Sequence, residues 1–451
     1  MEVLSTHPDM PEPLGAMNHG SSGQPRTPTS RIETPNLQTL YVRDGTESSY
    51  PKNESNKRVK LTIKEDLHTK THGLFGEVPE KQVAILTPFV SKPLTLELRT
   101  VPVIRPGVGE VVVRIAWTGI CASDIYFATG TDATYCSHSH IGGHEGIGHI
   151  VQSHDPAHID QAVGMRFMAY TCGICCYCLK GVPESCPRQV CFTRHLRGSY
   201  QQYATVPYTS LAILPDYVFQ HENPAIYTAA MCSGAAALKA LRKAGIRPND
   251  VVVVVGIGGQ IGYLAGVMAR RVYSARVVGI DIASKANSPT ISEACDVYLP
   301  SPTEGGTHMS DEFQSFLQST CTKLRADPNL PRGADAVIAA GSSVDSYRDL
   351  PSYVCDGGSI GFVGSPTYSV TFDVKRILER QLSIKGTLMG DRQDSYQVMD
   401  YIRSGILKPK MNEIELQELP EYMQGFLAQK NWGKGVARIN GPLPLAAPLT
   451  R

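Results

Sequence analysis

The sequence predicts an α/β protein: a doubly wound parallel sheet joined to a β-rich domain, behind a disordered N-terminal tail. Three observations carry this. An unbroken β-branched run over residues 251–255 leads into Gly256-Ile257-Gly258-Gly259-Gln260-Ile261-Gly262 and an apolar-periodic stretch to about Val272, which reads as buried strand, tight turn and helix. Further apolar runs at residues 276–280, 296–299, 335–339, 359–363 and 382–385 alternate with helical spacers, the rhythm of a parallel sheet. Residues 111–214, by contrast, are short strand-like runs punctuated by Gly and Pro.

Taken in order, residues 1–80 are rich in Pro, Ser, Thr, Asn and charge and contain no cysteine, so they have little to bury and read as disordered. The basic cluster Lys57-Arg58-Val59-Lys60 in that tail reads as a solvated patch rather than a nuclear address. Order is expected from Lys81-Gln82-Val83-Ala84-Ile85-Leu86 onward. Strands follow from Val111-Val112-Val113-Arg114-Ile115, and the Ala-rich stretch 225–242 reads as one helix. The parallel-sheet segment comes next, with Asp281 at the end of its second strand.

Bulk composition narrows the function classes. The chain has 451 residues, enough for two or three domains, and 42% of them are hydrophobic. Lys plus Arg number 43 and Asp plus Glu 42, so no strong field is available for a polyanion, and nucleic acid is not the expected partner. Twelve cysteines occur without a basic n-region or apolar h-region at Met1-Glu2-Val3-Leu4-Ser5-Thr6, and no apolar run is long enough to span a bilayer. The expected setting is a reducing, cytoplasmic one in which thiols ligate metal or stay free.

The chemistry lies in three patterns. Cys172, Cys175, Cys178 and Cys186 follow Cys-x2-Cys-x2-Cys-x7-Cys, and four thiolates close a tetrahedral zinc site with no position left for substrate, which makes it structural. Gly256, Gly258, Gly259 and Gly262 suit a turn that lets a pyrophosphate approach backbone N–H groups at a helix N-terminus. Ile261 stands where a strict G-x-G-x-x-G would place its last Gly. Asp281 is placed to bind the adenosine ribose diol, and its carboxylate would repel a 2′-phosphate, which favours NAD over NADP. Gly142-Gly143-His144-Glu145-Gly146, Gly119-Ile120-Cys121-Ala122-Ser123-Asp124 and Met231-Cys232-Ser233 scatter a second possible ligand set, Cys121, His144 and Cys232.

Together with Gly198-Ser199-Tyr200-Gln201-Gln202-Tyr203-Ala204-Thr205 and Gly386-Thr387-Leu388-Met389-Gly390-Asp391-Arg392, these motifs make residues 81–443 resemble the zinc-dependent medium-chain alcohol dehydrogenase family, with the yeast-type tetrameric branch nearest. The resemblance implies a GroES-like catalytic domain over 81–227 completed by 387–443, a Rossmann domain over 228–386 that binds NAD, and a C-terminal tail over 444–451. It implies two zinc ions per subunit. Cys121, His144 and Cys232 would hold the catalytic ion, with Glu145 close behind it. Asp124 would orient His144, Ser123 would pass on the alcohol proton, and Arg392 would reach the NAD pyrophosphate. The implied partners are a small alcohol or carbonyl substrate and a second copy of the chain, as dimer or tetramer, with no membrane and no nucleic acid.

The chain also departs from that pattern. Tyr126 stands where relatives often end the proton relay in His, and a free Tyr titrates near pH ~10 against about 6.5 for His. Asp132 replaces a bulky aromatic in the loop after Cys121, so a larger or more polar substrate is expected, with Phe167 as a wall. Met165 occupies a position where relatives carry a turn-forming Asp, and a local stability cost is expected. His138 and His140 could face the pocket, whereas Cys136, Cys176, Cys191, Cys295, Cys321 and Cys355 read as small buried residues without a role. The competing functions are a polyol dehydrogenase and a zinc-stabilised binding protein that lost turnover. A nucleic-acid reader using the cysteine lobe is disfavoured by the balanced charge.

Overall fold

A computed structural model describes residues 77–131, 141–301, 311–325, 327, 329–366 and 369–441, all within the compact unit Thr69–Arg451. The N-terminal tail with its basic cluster, the C-terminal tail, Asp132, Cys136, His138 and His140 lie outside the described residues.

The first half is β-rich. Strands β1 (Lys81–Leu86) and β2 (Glu97–Pro102) pair antiparallel. Strand β3 (Glu110–Gly119) is followed at once by helix α1 (Ala122–Thr129), then β4 (Gly146–Ser153) and β5 (Ala162–Met165). The four-cysteine lobe is bracketed by β6 (Met168–Tyr170) and β7 (Val190–Cys191), which pair antiparallel, and it contains the single-turn helix α2 (Cys176–Leu179). Strands β8 (Tyr203–Pro207) and β9 (Leu211–Ile213) and the short helix α3 (Tyr217–Gln220) complete this half. Met165 is not in a turn. It ends β5 fully buried in the core, where an apolar side chain is favoured, so the expected stability cost has no basis.

The stretch 225–242 is broken at Cys232. A 3-10 helix, Pro224–Met231, stops there, and α4 (Ser233–Ala244) begins, with Cys232 as N-cap at φ −146° and ψ −77°. The break interrupts what composition alone reads as one helix, because helix propensity cannot register the tertiary demand on one thiol. Helix α4 ends on Gly245 in the left-handed region, a frequent helix stop.

The parallel sheet follows, through β10 (Val251–Val255), α5 (Gln260–Arg271), β11 (Arg276–Asp281), α6 (Ile291–Ala294), β12 (Val297–Pro300), α7 (Asp311–Arg325), β13 (Ala334–Ala339), α8 (Leu350–Tyr353), β14 (Val354–Phe362), α9 (Val374–Glu379) and β15 (Ser383–Gly386). Its order is β12-β11-β10-β13-β14-β15, and every recorded pairing is parallel. All five valines of β10 are buried because helices cover both faces of the sheet.

The chain then returns to the first half through α10 (Arg392–Arg403), β16 (Met411–Glu415), α11 (Leu419–Leu427) and β17 (Lys434–Arg438). Strand β17 pairs antiparallel with β3 at Trp117–Gly119, next to the stretch of β3 that β8 occupies at Glu110–Arg114. The result is a seven-stranded sheet that includes β16-β17-β3-β4-β5-β9. Its far end delivers Cys121 and Lys434 to the cleft beside the parallel sheet.

Candidate active site

Two groups of metal-ligating side chains converge among the described residues. In the lobe, one ligand atom from each of Cys172, Cys175, Cys178 and Cys186 lies within 4.8 Å of the others, and none is in a disulfide. The Cys172–Cys186 and Cys172–Cys178 sulfur separations are 3.5 and 3.9 Å. A tetrahedron with Zn–S near 2.3 Å has edges of about 3.8 Å, so the donor set and its size fit zinc. Backbone N–H groups of Cys175 and Cys172 point at the sulfurs of Cys172 and Cys186, at 3.3 and 3.5 Å.

The second group is Cys121, His144, Glu145 and Cys232, all packed within the same 4.8 Å limit. Cys121 caps α1, His144 and Glu145 precede β4, and Cys232 caps α4. Hydrogen bonding to Cys232 holds the Cys121 thiol well below its ordinary value, against the opposing pull of burial, with His144 and Lys434 contributing. Burial alone would lower the His144 value, but the Asp124 carboxylate, 3.0 Å from Nδ1, overrides it and raises it well above the ordinary range. Asp124 is itself fixed. It accepts from the Tyr200 hydroxyl at 2.8 Å, the Gly143 N–H at 3.1 Å and the Thr193 hydroxyl at 3.2 Å. With Nδ1 engaged, Nε2 faces the Ser123 hydroxyl at 3.5 Å, and that hydroxyl lies 3.1 Å from the Cys121 sulfur.

Glu145 is fully buried, and burial pushes its carboxyl up to about 7 against the Lys434 ammonium, while Cys121 adds to the rise. Lys434 Nζ forms an ion pair with Oε2 at 2.5 Å, and no other side-chain cation pairs with the carboxylate among the described residues. A buried carboxylate with a single ammonium partner, set beside two thiols and an imidazole, fits a site built around a cation. Lys434 has no local sequence signal. It is fully buried and donates to the Ile120 carbonyl at 3.0 Å and Gln260 Oε1 at 3.3 Å, joining the two halves behind the ligands. Tyr200 lies within the run of residues 198–205, but its hydrogen bond to Asp124 emerges only from the fold.

The Gly-rich turn lies alongside. Gly256 has φ +83°, a conformation L side chains rarely adopt, and a Cβ on Gly262 would sit 2.0 Å from the Gly256 carbonyl oxygen. The close approach thus falls on Gly262, one residue after Ile261. Asp281 Oδ2 accepts the Gly258 N–H and Oδ1 accepts the Ile282 N–H, both at 2.8 Å, so the carboxylate is fixed over the turn with lone pairs to spare. Gly256, Gly258, Gly259 and Asp281 line a cavity of about 220 Å³. A neighbouring cavity of about 420 Å³ is lined by Ser123, Tyr126, Phe127, Phe167 and His144. Cys121, Ala122 and Ile261 line both. Tyr126 lies against Ser342, and burial raises its hydroxyl above the ordinary value. Arg392 opens α10, is exposed, and is not among the residues lining either cavity.

Residues 107–216 match the alcohol dehydrogenase GroES-like domain. The chain is 29% identical over 361 residues to alcohol dehydrogenase 1 of Caenorhabditis elegans, covering 78% of this chain and 96% of that protein. It is 27% identical over 348 residues to an alcohol dehydrogenase of Schizosaccharomyces pombe, covering 76% and 94%. The matched domain and these relatives support the zinc-dependent medium-chain alcohol dehydrogenase family, which the motifs resemble. That similarity accords with the pairing of a GroES-like sheet with a Rossmann-like sheet. A solved acetophenone reductase from Geotrichum candidum, in complex with NAD, shares this fold at a TM-score of 0.65 with 24% identity, covering 80% of this chain and 98% of that one. No helix among the described residues is long and apolar enough to cross a membrane.

Proposed function

We propose that the chain is an NAD-dependent zinc alcohol dehydrogenase that interconverts an alcohol and its aldehyde or ketone. One observation carries this reading: the Cys121, His144 and Cys232 donors meet at the wall of the apolar cavity, and Cys121 also lines the adjoining cavity over the glycine turn. The division into a catalytic part, 81–227 with 387–443, and a cofactor part, 228–386, belongs to the same proposal, as do two zinc ions per subunit, assembly as a dimer or tetramer, and a cytoplasmic setting.

When bound, zinc supplies the Lewis acidity that eases ionisation of an alcohol O–H, and NAD supplies the hydride acceptor. The chain's own residues do the rest. Cys121, His144 and Cys232 would hold the ion, and Asp124 keeps His144 turned toward it. The Ser123 hydroxyl, beside both Cys121 and His144, is placed to take the alcohol proton onto its oxygen and release its own toward the cofactor ribose. Gly256, Gly258, Gly259 and Gly262 leave room for the pyrophosphate, and Asp281 offers its free lone pairs to the ribose hydroxyls. Contact of Arg392 with the pyrophosphate is supported by the resemblance alone.

Phe127, Phe167, Val363, Leu388 and Met389 make the substrate cavity predominantly apolar. Ser123, Tyr126, Thr131, Ser342 and Ser365 are its hydroxyl groups, but the apolar walls favour a secondary or primary alcohol with a bulky apolar group over a polyol as the substrate class. The test is NADH formation from a panel of alcohols by zinc-loaded protein, repeated after chelation and after zinc return. The expected result is zinc-dependent turnover with aryl or branched alcohols at least about tenfold better in kcat/KM than with sorbitol. Absence of turnover in zinc-loaded protein would instead identify a binding protein of this fold.

A further inference from the structure

A cavity of about 950 Å³ shares no lining residue with the cleft just described. It lies at the N-terminal ends of the parallel strands, where Asn249 precedes β10 and Arg276 opens β11. Five cations line it. Arg270 and Arg271 close α5, Arg276 begins β11, and Lys408 and Lys410 come from the segment between α10 and β16.

Two carboxylates share the lining, Glu293 and Asp296, and both are engaged. Asp296 pairs with Arg270 at 3.0 Å and accepts the Val277 N–H at 2.7 Å. Glu293 pairs with Arg271 at 3.0 Å and accepts from the buried Tyr263 hydroxyl at 3.0 Å. That hydroxyl in turn accepts the Lys410 N–H at 2.9 Å, and Arg270 also donates to the carbonyls of Ser292 and Glu293 at 3.1 and 2.6 Å. The walls are thus braced by a continuous polar network. Arg276 and Lys408 are exposed and form no ion pair among the described residues, and Lys410 Nζ meets only the Pro289 carbonyl, at 2.6 Å. Arg270 and Arg271 also complement the negative end of α5, which accounts for those two. It does not account for three more cations brought to one concavity from other segments.

We propose that this cleft binds a small molecule carrying two or more adjacent phosphoryl groups. A concave surface of net positive charge focuses its field on a compact polyanion, and guanidinium forks match phosphoryl oxygens in pairs. Three cations without an ion pair among the described residues, Arg276 on one segment and Lys408 and Lys410 on another, match several charges held close together, whereas a lone monoanion reaches too few of them. Asn249 and Ser274 supply neutral polar groups at the rim.

The test is calorimetric titration of inorganic pyrophosphate into zinc-loaded full-length protein saturated with NAD, which blocks the glycine turn, with bound zinc measured before and after. Binding should saturate at one per subunit and weaken as salt rises. The R276E/K408E double variant should bind at least about tenfold more weakly, while its NAD affinity and alcohol turnover stay unchanged. Non-saturable binding, or equal affinity in the double variant, would overturn the proposal. So would sulfate binding as tightly as pyrophosphate, or a short RNA outcompeting pyrophosphate through the same two residues.

Discussion

The four-cysteine lobe and the Cys121–His144–Cys232 group use the same ligand chemistry but are held together differently. The lobe draws its ligands from residues 172–186, and little apolar packing supports it: α2 has no buried residue, and Ile174 and Leu179 are 70% and 75% exposed. Cys186 is buried, and Glu184 ties the lobe to the Lys239 ammonium of α4, but beyond these the sulfurs themselves are its core. The scattered group draws its ligands from residues 121 to 232, each fixed by an element that two large apolar clusters already hold in place. Metal in the lobe is therefore part of folding, whereas metal at the scattered group occupies a site the fold has prepared.

The sharpest way to break that comparison is a matched pair of ligand variants. Cys232→Ser should lower kcat/KM on the order of 10⁴-fold, or about 5 kcal/mol, and keep one zinc per subunit and a nearly unchanged melting temperature. Cys178→Ser should instead open residues 171–190 to limited proteolysis. Equal proteolytic sensitivity of the two variants would erase the distinction.

Next in size is the buried pair behind the scattered group. Lys434→Met strands the Glu145 carboxylate in a dry site and should cost about 3–5 kcal/mol in urea unfolding. Adding Glu145→Gln should recover much of that loss, since the uncompensated charge is then gone. A smaller effect is expected at Asp124, where Asn keeps the shape but weakens the hold on His144, so zinc affinity or turnover should fall about 10–100-fold.

His149 separates the pH dependence of the fold from that of the site. It lies on β4 against the Phe219 ring, and burial, with Arg114 adding, lowers it to about 4. The unfolded chain, with His near 6.5, takes up the proton first, so this contribution is complete above roughly pH 6.5 and is lost as pH falls toward about 4. His149→Gln should flatten the stability profile in that window by ~1–2 kcal/mol, with no change in zinc content. The smallest effect is expected at Tyr126. Tyr126→His should speed alcohol oxidation near neutrality a few-fold, because an imidazole accepts a proton there and a phenol with a raised value does not. Superimposable pH–rate profiles would remove Tyr126 from the proton path.

Much of this was readable along the chain because it depends on neighbours in sequence. The valines of β10, the turn after it and Asp281 occupy the strand, turn and strand end that their order implies. The lobe's ligands needed only their spacing. The break at Cys232 was not readable, since alanine-rich helix propensity runs straight through it. Nor was the burial of Met165, whose place in β5 depends on pairing with β4 and β9.

By itself the sequence determined the local structures: which runs become buried strands, where the glycine turn falls and which four sulfurs are close enough to share an ion. Such features need only short-range periodicity and spacing, and no distant residue can undo them cheaply. Tertiary structure alone decided that Lys434, over three hundred residues after Ile120, would stand behind Glu145, and that Tyr200 and Thr193 would hold Asp124. It likewise gathered cations from three segments into one cleft. Those juxtapositions arise from strand pairing and core packing across the chain, and burial makes each of them depend on partners that no local pattern specifies.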